Sequence, residues 1–315
     1  MRYPITKLKA LTLACLLVIA LAWQVKAQQQ ILQSQYMFNG LAINPAYAGS
    51  HEALSLTSLY RTQWAGYKEG APNSFSFSGH MPINRTRIAL GAMAFSESLG
   101  DKNQQGLQLA YAYRIPLSDG ILSMGLQAGV LNTRLNRNYN LFHPNDPNFP
   151  EGEISAFMPT FGAGLYYSSD NLVLGFSIPN LGIYNNGTEA EEVVSIEEVR
   201  HYMFSAGYIV DLNNDLKLKP TLLARYREGQ GIEFDINTTL VVNETFWFGA
   251  SYRHLNSLNF LTQIQLTNQL QLGYAYDLPI NSGLSLVSSG SHEIMINYRF
   301  RIFSAGDSAP SPGFF

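Results

Sequence analysis

Hydrophobic and polar residues alternate along most of this chain with a period of two. The clearest example is residues 231–242, GIEFDINTTLVV, where Ile232, Phe234 and Ile236 alternate with acidic and amide side chains. Because successive side chains of a β-strand point to opposite faces, this pattern predicts a strand with one apolar and one polar face. We find fourteen such segments between residues 51 and 303.

A soluble β-sandwich also alternates, but two further features favour a membrane barrel. The apolar face ends repeatedly in aromatic residues, which is typical of the girdles of membrane barrels. The predicted connections alternate between short turns, such as 117–120, and longer segments, such as 135–153, 179–199 and 279–291. Outer-membrane barrels combine short periplasmic turns with long outer loops. The aromatic pairs are Tyr60 and Trp64, Tyr111 and Tyr113, Tyr166 and Tyr167, Tyr274 and Tyr276, and Tyr298 and Phe300.

The predicted fold is therefore all-β, a transmembrane antiparallel outer-membrane barrel of fourteen strands over residues 51–303. Both termini are expected on the periplasmic side, and the Ser-, Pro- and Gly-rich tail at 304–315 is expected to be flexible. Strand boundaries are hardest to place near Pro159 and Pro220, because proline cannot donate a hydrogen bond to a neighbouring strand.

The first 27 residues have the pattern of a secretory signal peptide. Basic residues precede an apolar run from Leu11 to Trp23, and Val25 and Ala27 supply a cleavage pattern. As a helix this run would span roughly 20 Å, too short for a membrane core of about 30 Å. We expect cleavage near Ala27, followed by insertion into the outer membrane.

Composition and charge narrow the function further. Charged residues make up 14% of the chain, while Tyr and Phe number 18 each. Cleavage would leave 16 basic against 23 acidic residues, a formal charge of −7, which argues against a nucleic-acid partner. It would also remove the single cysteine, Cys15, and with it any disulfide or cysteine-based metal site.

Residues 35–50, QYMFNGLAINPAYAGS, interrupt the alternation just ahead of the first strand. Three aromatic residues, Tyr36, Phe38 and Tyr47, favour burial, and small residues between them permit close approach. Asn44 precedes Pro45, which biases its backbone away from a helix. We predict that residues 28–50 form a plug or latch, packed against the periplasmic mouth or inside the lumen; a disordered leader is the alternative.

This stretch also carries a resemblance to a known family. Together with YRTQW at 60–64, GDKN at 100–103 and HPNDPNFP at 143–150, it resembles the PorP/SprF family of type IX secretion and gliding proteins. The resemblance implies an accessory, non-enzymatic barrel that anchors or helps to export a secreted surface protein, such as an adhesin, through its carboxy-terminal sorting domain. It also implies contact with outer-membrane lipid and with periplasmic type IX secretion components.

The polar strand faces supply further candidates. Their charged residues should point into the lumen, as a hydrated, salt-bridged filling or as a cradle for an inserted peptide or domain; Asp277 and Glu293 belong to the same face. The full set of partner-binding candidates comprises Tyr36, Phe38, Asn44, Pro45, Tyr47, Arg61, Arg114, Arg225, Arg227, Glu233, Asp235, Arg253, Arg299 and Arg301.

Catalytic and metal chemistry find little support in the sequence. The six histidines lack metal-pair spacing, and no G-x-S-x-G motif occurs. Ser76, Ser78 and His80 share one strand face opposite Phe75 and Phe77, so they are expected to face the lumen rather than form an outer catalytic triad. We therefore expect no enzyme activity, metal or cofactor. The alternative function is a porin-like or FadL-like barrel that passes small solutes or lipids.

Overall fold

The computed structural model describes residues 33–67, 70–137, 152–181, 200–228, 231–280 and 288–300. The predicted signal peptide, the predicted tail and Arg301 lie outside these residues. No described helix is long and apolar enough to cross a membrane.

Antiparallel strands form a single closed sheet in which each strand pairs with its neighbours in the chain, and the last pairs with the first. The strands are β1 Leu54–Thr62, β2 Asn73–Pro82, β3 Ile88–Leu99, β4 Lys102–Leu117, β5 Gly120–Arg137, β6 Gly152–Ser168, β7 Leu172–Ile178, β8 His201–Tyr208, β9 Val210–Asp211, β10 Leu216–Arg227, β11 Gly231–Val242, β12 Phe246–Arg253, β13 Ser257–Gln265, β14 Leu270–Pro279 and β15 Ser291–Phe300.

Strands β8 and β9 are two parts of one barrel strand, because both pair with β10 and only Ile209 separates them. The barrel therefore has fourteen strands, as predicted. Pro220 lies opposite this break, where β10 has no ladder partner on that side. Pro159 lies in the part of β6 beyond its pairing with β7, which begins at Ala163. Both prolines thus occupy positions where a missing N–H costs no ladder bond on one side.

The strand faces follow the sequence pattern. In β2, Phe75 and Phe77 are exposed on the outside of the barrel, while Ser74, Ser76 and Ser78 are buried inside. The outer surface is a broad apolar band, as expected of a barrel in lipid. One aromatic residue was assigned to the wrong face: Tyr166 points into the barrel and is only 6% exposed.

The two ends of the barrel differ in their connections. At the short-turn end lie the turns 83–87, 118–119, 169–171, 212–215, 243–245 and 266–269. The opposite, long-connection end carries 63–72, 138–151, 179–200 and 280–290, but also the short connections 100–101, 228–230 and 254–256. The predicted alternation in length is therefore only partial, because tight hairpins also join strands at the long-connection end.

The lipid-facing band can be tested at Phe260, in the middle of β13, whose side chain is 53% exposed on the outside. We expect Phe260→Arg to lower the free energy of unfolding, because an arginine near the midplane of such a barrel costs about 2–4 kcal/mol. Folded and unfolded fractions would be measured by electrophoretic mobility after urea titration in lipid vesicles.

Leu255 provides the matched control, because it is 70% exposed but lies in the turn between β12 and β13. Leu255→Arg should leave the unfolding midpoint close to that of the unmodified protein. An equal loss of stability in both variants would contradict the assignment of the band.

Candidate functional site in the barrel lumen

The barrel lumen contains the chain's own amino-terminal segment, residues 33–53, which precedes β1. Three short 3-10 turns make up its middle: Tyr36–Phe38, Gly40–Ala42 and Pro45–Tyr47. Nearly all of its side chains are buried, including Tyr36, Phe38, Pro45 and Tyr47. Because its contacts reach strands all around the barrel, the segment lies within the lumen and not outside the mouth of the barrel.

The segment extends from one end of the barrel to the other. Gln33 and Ser34 contact residues near the long-connection end, including Arg61 at the end of β1 and Arg253 at the end of β12. Glu52 pairs with Arg114 near the short-turn end. The first described residue therefore lies at the long-connection end, whereas Phe300, the last described residue, lies at the short-turn end. The two termini, both expected on the periplasmic side, lie outside the described residues.

Asn44 and Pro45 organise the last turn. Asn44 is extended, as its position before proline predicts, and its side-chain Oδ1 accepts a 2.9 Å hydrogen bond from the Ala46 N–H. Pro45 then starts the 3-10 turn, where a missing N–H leaves nothing unsatisfied. The Asn44 Nδ2 donates to the Leu165 carbonyl in β6 at 2.9 Å, which fixes the turn to the wall.

Two glycines let the segment backbone approach the wall. A Cβ on Gly125 of β5 would overlap the backbone of Ala46, and one on Gly164 of β6 would overlap the Asn44 side chain. In addition, Ser177 of β7 donates a 2.5 Å hydrogen bond to the Ile43 carbonyl. The wall is thus shaped for this particular segment, and any larger side chain at these glycines would displace it.

Phe38 packs into an apolar cluster on one side of the lumen. Its ring meets Trp247 edge to face, with centroids 5.4 Å apart, and the Lys219 Nζ lies 5.4 Å from its centroid. Lys219 is only 1% exposed and also lies 5.7 Å from the Trp247 ring. Tyr36, Leu59 and other inward apolar residues complete this cluster. The aromatic faces provide the buried ammonium with an electrostatic partner.

Tyr47 packs on the opposite side, near the short-turn end. Its ring meets His80 and Tyr166 edge to face, at 5.3 and 5.4 Å, and its hydroxyl lies 3.0 Å from His51 Nε2. His80 Nδ1 accepts a 3.1 Å hydrogen bond from the Gly49 N–H. The histidine therefore supports the segment from the inward face of β2.

A buried charge cluster holds the other end of the segment. Arg61 pairs with Asp277 at 2.5 Å and with Glu293 at 3.0 Å, and it donates to the Ser34 hydroxyl at 2.7 Å. Glu293 accepts hydrogen bonds from the backbone N–H groups of Ser34 and Gln35, each at 2.7 Å. We call Arg61, Asp277 and Glu293 the clamp. Each of these side chains is almost completely buried.

The remaining charged candidates divide into three groups. Arg253 pairs with Asp235 at 3.0 Å and lies beside the clamp. Arg225 and Arg227 both pair with Glu233 on the wall. Arg299 donates to the Asn297 side chain at 3.1 Å. Three of the predicted arginines, Arg61, Arg114 and Arg253, contact the segment through hydrogen bonds or ion pairs.

Several lumen residues were not among the predicted candidates: Trp247, Lys219, Tyr166 and the two glycines. His80 was expected to face the lumen and does so. One signal was present, because Trp247 occupies an inward position between the outward residues Phe246 and Phe248. A bulky apolar side chain on an inward face indicates a filled lumen. Among the described residues, no group of three or more His, Cys, Asp or Glu side chains could hold a metal ion.

Closed antiparallel strands, an apolar outer band and a filled lumen define a β-barrel of the outer-membrane type. Over residues 25–298 the sequence matches the family described as type IX secretion system membrane protein PorP/SprF. The chain belongs to this family, as its motifs suggested, and is a secretion-associated outer-membrane barrel. Among curated proteins, no relative matches the sequence.

Solved structures similar to this barrel share its fold at low sequence identity. The CymD monoaromatic hydrocarbon channel is 14% identical, with a TM-score of 0.50, covering 83% of this chain and 92% of its own. A FadL homologue of Pseudomonas aeruginosa is 13% identical, with a TM-score of 0.45, covering 82% of this chain and 94% of its own. Omp33 of Acinetobacter baumannii is 8% identical, with a TM-score of 0.44, covering 79% of this chain and all of its own.

The packing of the segment can be tested with Phe38→Ala. Removing a buried aromatic ring typically costs about 3–5 kcal/mol, so we expect the segment to loosen while the strands remain paired. Chymotrypsin, which cleaves after aromatic residues, should then cut the folded protein within residues 33–53 much faster than before. Mass spectrometry of the products would locate the cuts.

Phe77→Ala is the matched control, because Phe77 is exposed on the lipid face. It should leave the cleavage rate within residues 33–53 unchanged. Slow cleavage of the Phe38→Ala variant would show that the ring contributes little to holding the segment.

Proposed function

We propose that this barrel is an accessory component of type IX secretion that anchors, or helps to export, a partner surface protein through the partner's carboxy-terminal sorting domain. Membership in the PorP/SprF family supports a role in secretion. The observation that favours protein binding over solute passage is the lumen itself, which the chain's own segment fills. The partner-binding residues we propose include Tyr36, Phe38, Asn44, Pro45 and Tyr47.

Solute transport is less well supported by the contents of the lumen. A channel for small molecules needs a continuous path, whereas the described lumen brings Tyr36, Ala46 and Tyr47 to exposures of 4% or less. Tyr36 belongs to one buried apolar cluster of the lumen, and Ala46 and Tyr47 belong to another. The likeness to CymD concerns the fold alone and does not extend its substrate to this chain.

The barrel has two ends at which it can hold a partner. The last turn of the segment, with Asn44 and Tyr47, lies nearest the short-turn end of the barrel. Because outer-membrane barrels have their short turns in the periplasm, we propose that this end faces the periplasm. Connections at the other end would face the cell surface under the same rule. We propose that the segment stabilises the barrel in a form that the secretion machinery and the partner recognise, after signal-peptide cleavage near Ala27.

Deletion of residues 28–48 behind an intact signal peptide tests this role. Strand pairing lies entirely downstream, so the truncated barrel should still reach the outer membrane. Surface display of the partner should fall severalfold or more, because the recognised form of the barrel is lost. Display would be measured by protease shaving and quantitative mass spectrometry of the cell surface.

Deletion of residues 304–315 is the control, because it removes a shorter stretch of twelve residues from the other end of the sequence. It should leave both insertion and display unaltered. Normal display by the 28–48 deletion would show that the segment plays no part in secretion. The amino-terminal peptide of the mature protein, identified in the same experiment, checks cleavage near Ala27.

A further inference from the structure

The contacts of the clamp resemble those of a peptide-binding site. The Glu293 carboxylate uses both oxygens on consecutive backbone N–H groups, Oε2 with Ser34 and Oε1 with Gln35. The Ser34 hydroxyl donates to Asp277 Oδ2 at 2.6 Å and accepts from Arg61 at 2.7 Å. The clamp thus binds a hydroxyl and two adjacent backbone N–H groups together. A salt bridge that only filled a hydrated lumen would not need such contacts.

The charges at this site show why it needs a ligand. Two guanidinium groups, Arg61 and Arg253, face three carboxylates, Asp235, Asp277 and Glu293, and all five residues are at most 6% exposed. Burial of a carboxylate is unfavourable unless donors replace its water. Within this group of five, two cations face three carboxylates, and the backbone N–H groups of Ser34 and Gln35 supply further donors to Glu293.

A second charge cluster on the same wall behaves differently. Glu233 pairs with both Arg225 and Arg227, so one carboxylate there has two cations. Its side chain is 32% exposed, whereas that of Glu293 is fully buried. This cluster is balanced by wall residues and accessible to solvent. Dependence on the segment is therefore a property of the clamp and not of every ion pair in the lumen.

The position of the clamp adds a mechanical consequence. Arg61 and Glu293 lie directly opposite each other in the pairing of β1 with β15, near the long-connection end. The other attachments lie closer to the short-turn end: packing and hydrogen bonds at Phe38, Asn44 and Tyr47, and the ion pair of Glu52 with Arg114 just before β1. The clamp is thus the polar attachment that holds the far end of the segment in place.

We propose that Arg61, Asp277 and Glu293 form a peptide-binding site whose ligand is the Ser34–Gln35 backbone, and that occupancy of this site keeps the lumen closed. The ligand class is a polypeptide with two consecutive free N–H groups, the first on a residue with a small hydroxyl side chain. Release of this ligand frees the segment at the long-connection end and opens the lumen. This property goes beyond the secretion role and is testable on the purified barrel.

Conductance of the full-length protein in planar lipid bilayers provides the test. The unmodified barrel should remain closed for most of the recording. Glu293→Gln replaces a carboxylate by a neutral amide and weakens both backbone contacts, so the open fraction should rise about tenfold or more. Glu244→Gln, the control, alters an exposed carboxylate that pairs with Lys217 in the turn after β11, and should leave the open fraction unchanged.

Ser34→Pro tests the same contact from the side of the ligand. It removes one N–H and the hydroxyl without altering any strand, so the barrel folds even if a wall variant does not. It should open the lumen to a similar extent as Glu293→Gln. The proposal is overturned if both variants stay closed, if Glu244→Gln opens equally, or if Glu293→Gln opens while Ser34→Pro stays closed. The result is independent of secretion, so it separates this site from the proposed cellular role.

Discussion

The pairing of β1 with β15 is the interaction on which the rest of this structure depends. A sheet in lipid cannot leave an edge unpaired, because no water is available to satisfy its N–H and C=O groups. The nine-residue register from Leu54–Phe300 to Thr62–His292 closes the sheet. The same register places Arg61 opposite Glu293, and both side chains point inward. The strand pairing that closes the barrel therefore also brings Arg61 and Glu293 of the clamp together.

Closure also determines what the lumen requires. The inward side chains can no longer reach bulk water freely, so each buried polar group needs a partner. Some find it within the wall: Asn297 donates to the side chains of Ser55 and Thr57 across the closing pair, at 3.0 and 2.8 Å. Others find it only in the segment. Leaving a buried donor or acceptor without its hydrogen-bond partner costs about 1–3 kcal/mol, so the segment and the wall stabilise one another.

Much of the barrel could be predicted from the sequence because alternation is a local property. The faces of β2 and β11 follow directly from residues two apart, and fourteen strands follow from counting such segments. The inward direction of Arg225 and Glu233 follows in the same way. Asn44 and Pro45 indicated a change of backbone direction, but they did not predict the 3-10 turn that follows.

What could not be predicted depends on register and closure. Arg61 and Arg227 look alike in the sequence, yet one contacts the segment and the other pairs with Glu233. Residues more than two hundred positions apart, such as Ser34 and Asp277, meet only once the sheet has closed. Tyr166 was assigned outward because two adjacent tyrosines, one on each face, look equivalent until the register is known. The alternation of residues alone predicts which face of the sheet a side chain is on, but not which residues lie beside it.

A filled lumen changes how such a barrel can act. An open barrel works through its pore, whereas one that holds its own chain can act through its ends, through its outer surface or by moving that chain. Here the two ends of the segment are held differently. Aromatic packing around Tyr47 and the Glu52–Arg114 pair lie near the short-turn end, just before β1, whereas the clamp holds the other end through charge-assisted hydrogen bonds to the backbone. Because a buried carboxylate can exchange one set of donors for another, the clamp is the end at which we propose that a competing polypeptide exchanges with the segment.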